Sequence, residues 1–135
     1  MPALIPTKRI SSEIRNHLLA GDQAAALRDA VEIAGRIRAL GTMPTEGLPA
    51  WATAKPPSTG SARWDTILAT GIAFAIEQIG GRPEPWMEAV APLDELSTLS
   101  GYEPGDLLRE RLLAETPARF LGIRILCRDR DWTIA

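Results

Sequence analysis

The stretch from Ala62 to Ile79 reads ARWDTILATGIAFAIEQI. Between Ile67 and Ile76 only Thr70 and Gly71 interrupt the apolar side chains. Trp64, Leu68, Gly71, Ile72, Ala75 and Ile79 recur at helical spacing along one broad face, and Ile67 and Phe74 occupy the others. A helix apolar nearly all round has no side to offer water, so it is expected in the middle of its domain. A membrane span needs roughly 20 apolar residues. This run is shorter, and Arg63, Asp65 and Glu77 bracket it. Gly71 is expected to let a neighbouring helix approach closely. Gly80, Gly81 and Pro83 then stop the helix.

Towards the N-terminus the pattern predicts two shorter amphipathic helices. Ile10, Ile14 and Leu18 repeat every four residues within Lys8 to Ala20, with Ser11 or Ser12 as the expected cap. Gly21 fits a left-handed C-terminal cap, and Asp22 fits the N-cap of a second helix running to Leu40, closed by Gly41. Ala26, Ala30, Ile33, Ile37 and Leu40 form its core stripe, widened by Leu27, Val31 and Ala34. Arg28, Asp29, Glu32, Arg36 and Arg38 take the polar face. The two helices make an antiparallel hairpin over residues 1–41. In residues 42–62, Pro44, Pro49, Pro56 and Pro57 abolish any helical period. That segment is expected to be a Pro-rich linker of partial order, pinned by Leu48 and Trp51.

Towards the C-terminus the elements shorten. Two turns of helix are expected over Pro85–Ala91 and another short helix over Leu93–Leu99. A further helix is expected from Pro104 to near Glu115, with Leu107, Leu108, Leu112 and Leu113 as its apolar face. Thr116-Pro117 restarts the chain, Phe120 falls in a short turn, and the alternation around Ile123 and Ile125 predicts a brief strand. The expected fold is mainly α, a small single domain over 1–135. It has an N-terminal helical hairpin, a buried central helix, and an irregular C-terminal part with a short strand.

Composition narrows the function classes. Leu, Ile, Val and Phe make up 32 of 135 residues, above the range of disordered chains. One cysteine and one histidine exclude an intrachain disulfide and a four-ligand Cys/His zinc site. MPALIPTKR lacks the basic start, apolar run and cleavage site of a signal peptide, so a cytoplasmic protein is expected. Lys8 and Lys55 are the two lysines among 15 basic residues, and alanine is abundant, a usage common in GC-rich bacterial genomes.

No constellation points to catalysis. His17 and Cys127 would make a nucleophile–base pair if they met, but each reads more simply as a packing residue. Asp94-Glu95 and Glu84/Glu88 offer carboxylates for acid–base or divalent-metal chemistry, and read more simply as capping and solubilising groups. Asp129 and Asp131 alternate with Arg128 and Arg130, which suggests local ion pairs. Gly80-Gly81 follows a helix rather than a strand, the wrong context for a phosphate loop. No catalytic, cofactor-binding or metal residue is assigned, and no enzyme is expected. Charge is uneven. Residues 1–63 hold 8 basic and 5 acidic side chains, residues 64–115 hold 3 and 10, and residues 116–135 hold 4 and 2. The acidic middle suits a basic partner or the chain's own basic flanks. Lys8, Arg9, Arg15, Arg28, Arg36 and Arg38 suit phosphates in a helix-turn-helix. Against that, Glu13, Asp29 and Glu32 interrupt the basic face, and LLAGDQAAAL at 18–27 resembles the turn of a tetratricopeptide-type hairpin.

Arg63-Trp64-Asp65 at the head of the central helix, followed by Glu77, Gly81, Pro83, Pro85 and Trp86, forms a tract of the type RWDTILA…E..GG.P.PW. Thr116, Pro117, Phe120 and the run Ile123 to Leu126 follow in order. Residues 63–126 thus resemble a small helical domain of actinobacterial proteins, often found behind helix-turn-helix modules and encoded beside nucleotidyltransferase-like toxins. The resemblance implies a non-enzymatic, antitoxin-like domain that binds another protein, and it supplies no catalytic residues. This sequence lacks the separate helix-turn-helix module, so protein binding is expected ahead of DNA binding, and a small hydrolase or transferase comes third. A homodimer is compatible with the pattern. Tryptophan and arginine dominate binding hot spots. The expected contact residues are therefore Trp86 on its Pro-rich turn and Arg124, Arg128, Arg130 and Trp132 near the chain end.

Overall fold

A computed structural model describes residues 6–133. It is mainly helical, as the periodicity requires, and α4 (Ala62–Gln78) lies at its centre. Ser61 caps α4 by accepting from the Trp64 N–H at 3.3 Å. Trp64, Leu68, Ile72 and Ile79 are no more than 7% exposed, and every residue from Thr66 to Ala73 is buried. From Thr66 to Ile76 the helix is enclosed except at half-buried Phe74, and its charged and polar ends, with Glu77 and Gln78, reach water.

The hairpin consists of α1 (Pro6–Leu19) and α2 (Gln23–Arg38). Gly21 takes φ +75° between them, and the Asp22 carboxylate accepts from Ala25 N–H at 3.0 Å. Ile10, Ile14, Ala26, Ala30, Ile33 and Ile37 are fully buried, so the predicted stripes are the ones that pack. α2 lies between α1 and α4. Ser11 is not a cap. It sits inside α1, buried, and donates to the Lys8 carbonyl. Asp29 is not on an open polar face either, being 9% exposed.

The Pro-rich segment is more ordered than expected of a linker. It carries one helical turn, α3 (Ala50–Thr53), whose Ala52 is fully buried against the hairpin. Leu48 and Trp51 pack on the core. Further along, Asp65 gathers the chain by accepting from Ser58 Oγ (2.6 Å), Thr59 N–H (2.7 Å) and Thr59 Oγ1 (2.7 Å).

After α4 the elements are α5 (Pro85–Glu88), β1 (Ser97–Thr98), α6 (Asp106–Glu115), α7 (Ala118–Leu121), β2 (Ile125–Leu126) and a 3-10 turn at Asp129–Trp132. α5 is a single turn, not two. Leu93–Leu99 is not a helix. The half-buried Arg63 guanidinium donates to Ser97 Oγ, Thr98 O and Leu99 O at 2.6–3.0 Å, which holds that segment extended. Ser97 and Thr98 pair in parallel with Ile125 and Leu126. The expected strand at Ile125 is therefore present, with a partner the local pattern did not indicate. α6 starts at Asp106, two residues beyond Pro104, and ends at Glu115 as predicted.

The 3-10 turn closes the core. Trp132 is fully buried, stacked on Phe120 with ring centroids 5.2 Å apart, and Phe120 meets Phe74 edge-on at 5.1 Å. A Cβ on Gly71 would lie 2.3 Å from Trp132 Cζ3 and 2.5 Å from Cη2, a clash with the ring. The close neighbour that Gly71 admits is thus an indole, not a helix backbone. Arg38 on α2 donates to the Trp132 carbonyl and, at 3.2 Å, to Gln78 Oε1, which ties the tail to the hairpin.

Candidate partner-binding surface

Of the five residues expected to meet a partner, one is buried, two are half-buried and two are exposed. Trp132 belongs to the core, which corrects its expected place at the surface. The sequence suggested little core was left to cover it, but Gly71, Phe120 and Arg38 do so. Trp86 is half-buried and donates from Nε1 to the Thr53 carbonyl at 2.7 Å, joining α5 to α3. One face of it borders a groove of about 470 Å³ with Pro56, Pro57, Leu68 and Val90. Arg124 is exposed, yet its backbone takes φ +66° and its guanidinium donates to Leu93 O (2.8 Å) and Asp94 O (3.1 Å). An arginine in the left-handed region is unfavourable by itself, so these contacts hold the turn before β2. Arg128 donates its backbone N–H to Asp131 Oδ2 at 2.8 Å, accepts at its carbonyl from the Asp131 N–H at 3.0 Å, and sets its guanidinium 3.5 Å from Asp131 Oδ1. Arg130 remains exposed on the 3-10 turn. Arg128 and Arg130 line one open groove with Glu115 and Thr133, and Trp86 lines another.

The candidate chemistry disperses in the same way. His17 Nδ1 lies 2.7 Å from Asp29 Oδ2 across the hairpin, an orienting partner the sequence did not reveal because it comes from the next helix. Burial pushes the Asp29 carboxyl up, His17 pulls it back, and Glu13 and Glu32 push it up further. Carboxylate oxygens of Glu13, Asp29 and Glu32 gather within 4.8 Å. Arg9 pairs with Glu13 at 2.9 Å and Arg36 with Glu32 at 3.0 Å, so two of the three already have cations. Of the Glu84/Glu88 pair, Glu88 joins Glu77 on Arg119, at 3.1 and 2.6 Å, linking α5, α4 and α7. The hydrogen bond from Arg119 holds Glu77 below the usual carboxylate range. These are ties between helices.

Cys127 is 1% exposed, and Thr116 Oγ1 brackets its backbone, donating to its carbonyl at 2.8 Å and accepting from its N–H at 3.0 Å. Burial pushes the thiol up to about 12, with the Trp132 indole opposing and Asp131 and Asp129 adding to the rise. A thiol so placed is neither ionised nor reachable at neutral pH. Native protein is expected to resist a thiol reagent such as Ellman's until it unfolds, and then to release one equivalent. Rapid labelling of folded protein would show that the 3-10 turn opens.

The basic face of the hairpin is also spent in part. Arg9 and Arg36 are in ion pairs, and Arg38 serves Trp132 and Gln78. Besides Leu19 at the end of α1, the exposed large apolar side chains gather on and around α6. Leu112 alone of its residues is buried, while Leu107 is 80% and Leu113 43% exposed. Tyr102 before it and Leu121 after it are 49% and 37% exposed. The expected four-leucine core face is thus corrected to a single anchor. Geometry explains why. Leu108 and Leu112 share a ridge, and Leu107 and Leu113 each sit about 100° to either side of it.

No family matches. Comparison with protein-family models, curated proteins and solved structures gives no match. Among the described residues no helix is long and apolar enough to cross a membrane.

Proposed function

We propose that this chain is a non-enzymatic protein-binding domain and that its partner packs on α6. One observation carries the reading: a ten-residue helix that buries Leu112 and leaves Leu107 and Leu113 in water. The two leucines flank the Leu108–Leu112 ridge on opposite sides, and helix-on-groove docking uses exposed apolar anchors of this kind. The specific form is antitoxin-like neutralisation of a toxin. It draws its support from the resemblance of residues 63–126 to domains encoded beside nucleotidyltransferase-like toxins. DNA binding is the weaker reading, because three arginines of the hairpin are engaged within the chain.

The test is Leu107→Lys. At an exposed position it should change stability by no more than about 0.5 kcal/mol, which a thermal melt reads. Its effect on capture of the protein encoded next to this chain, measured by co-purification, should be a loss. Unchanged capture by Leu107→Lys, with loss in a Trp86→Ala or Arg130→Glu protein, would move the binding surface off α6.

A further inference from the structure

The exposed side of α6 is complementary to itself. Leu107, Glu110, Arg111 and Ala114 are all exposed and follow the i, i+3, i+4, i+7 spacing of one helix stripe. We propose that α6 is covered by α6 of a second copy of this chain, the two helices running antiparallel about a two-fold axis between Glu110 and Arg111. The inference rests on the reading of α6 as the binding face and names what covers that face in the free protein, before the partner displaces it.

Charge and size select that register. In the antiparallel pairing Glu110 meets Arg111 of the second copy, and the two-fold repeats the contact. In a parallel pairing Glu110 would face Glu110 and Arg111 would face Arg111, which like-charge repulsion opposes. The same antiparallel register sets each Leu107 over Ala114 of the other copy. A large side chain over a small one lets the axes approach and removes the most exposed leucine of the described residues from water. A two-fold interface needs this kind of self-complementary patch. Its size sets its strength. Ten residues of helix extend about 15 Å, so the pair buries less than the roughly 1,200 Å² of a standard interface. The dimer is therefore weak and concentration-dependent.

Sedimentation equilibrium of the full chain from about 1 µM to about 1 mM reads this directly. Wild-type protein should show a monomer–dimer equilibrium, and Leu107→Lys should be monomeric throughout. Glu110→Arg alone, or Arg111→Glu alone, should weaken the dimer about tenfold or more, because each mismatch occurs twice. The double variant Glu110→Arg/Arg111→Glu should recover wild-type dimerisation, since the crossed pairs re-form with signs exchanged. All four positions are exposed, and circular dichroism confirms that each variant folds. A wild-type chain that stays monomeric overturns the second-copy inference. If Leu107→Lys nevertheless loses the neighbouring-gene partner, the α6 reading survives that result. A dimer indifferent to Leu107→Lys overturns the inference, and so does a double swap that fails to recover.

Discussion

Trp132→Ala is expected to destabilise the protein by about 3–5 kcal/mol, a large fraction of the stability of a domain this size. The indole is fully buried, stacks on Phe120 and fills the space Gly71 leaves open on α4. Removing it opens a cavity between α4 and α7 that the rigid helix cannot collapse around. Deleting residues 128–135 should be worse, because it also strips the Trp132 carbonyl from Arg38 and the Arg128–Asp131 cap. A denaturant melt of each protein measures the loss. Gly71→Ala offers the reciprocal probe: its methyl collides with the ring, an overpacking worth about 1–3 kcal/mol. In the double variant Gly71→Ala/Trp132→Ala the methyl enters the vacated space, so the two costs should fall well short of additive. Additive costs, or a truncated chain that melts like the wild type, would show that the 3-10 turn does not close the core.

That tail also shows where sequence reading stopped. The stripes of α1, α2 and α4 were legible because helical periodicity is local, and each stripe records which side of its own helix faces inward. Trp132 has no periodic context, and its partners Gly71 and Phe120 lie on other elements. A lone glycine in the middle of an apolar helix was the available clue that something bulky arrives there, though not what. The Leu93–Leu99 segment failed for a related reason. Its conformation is dictated by Arg63 and by pairing with Ile125, both distant in the chain. In α6 the signal lies in the spacing: leucines at 107, 108, 112 and 113 cannot share one face, so a helix resting on a flat core must leave some outside. The His17–Asp29 contact was hidden because a polar position on one helix becomes an inner one when a second helix lies across it.

Ile72→Ala is the second large effect, expected at about 2–5 kcal/mol. Ile72 is fully buried on α4 within the same core cluster as residues of α1, α2 and the C-terminal turn. The range depends on how far the neighbours relax into the cavity, and two features here limit relaxation. Thr66 to Ala73 are buried without a break, so α4 cannot slide towards solvent on any side along that run. The next residue back, Gly71, already holds the Trp132 ring against its backbone, so a shift of the helix towards the void would break that contact. The upper half of the range is therefore expected. Ile72→Val, which removes one methylene, should cost only about 0.5–1.5 kcal/mol. The pair distinguishes packing from a change in the unfolded chain, because alanine favours helix over isoleucine and by propensity alone would stabilise. Chemical denaturation of the three proteins supplies the series. An Ile72→Ala cost below about 1 kcal/mol would mean that α4 is not the enclosed centre of the domain.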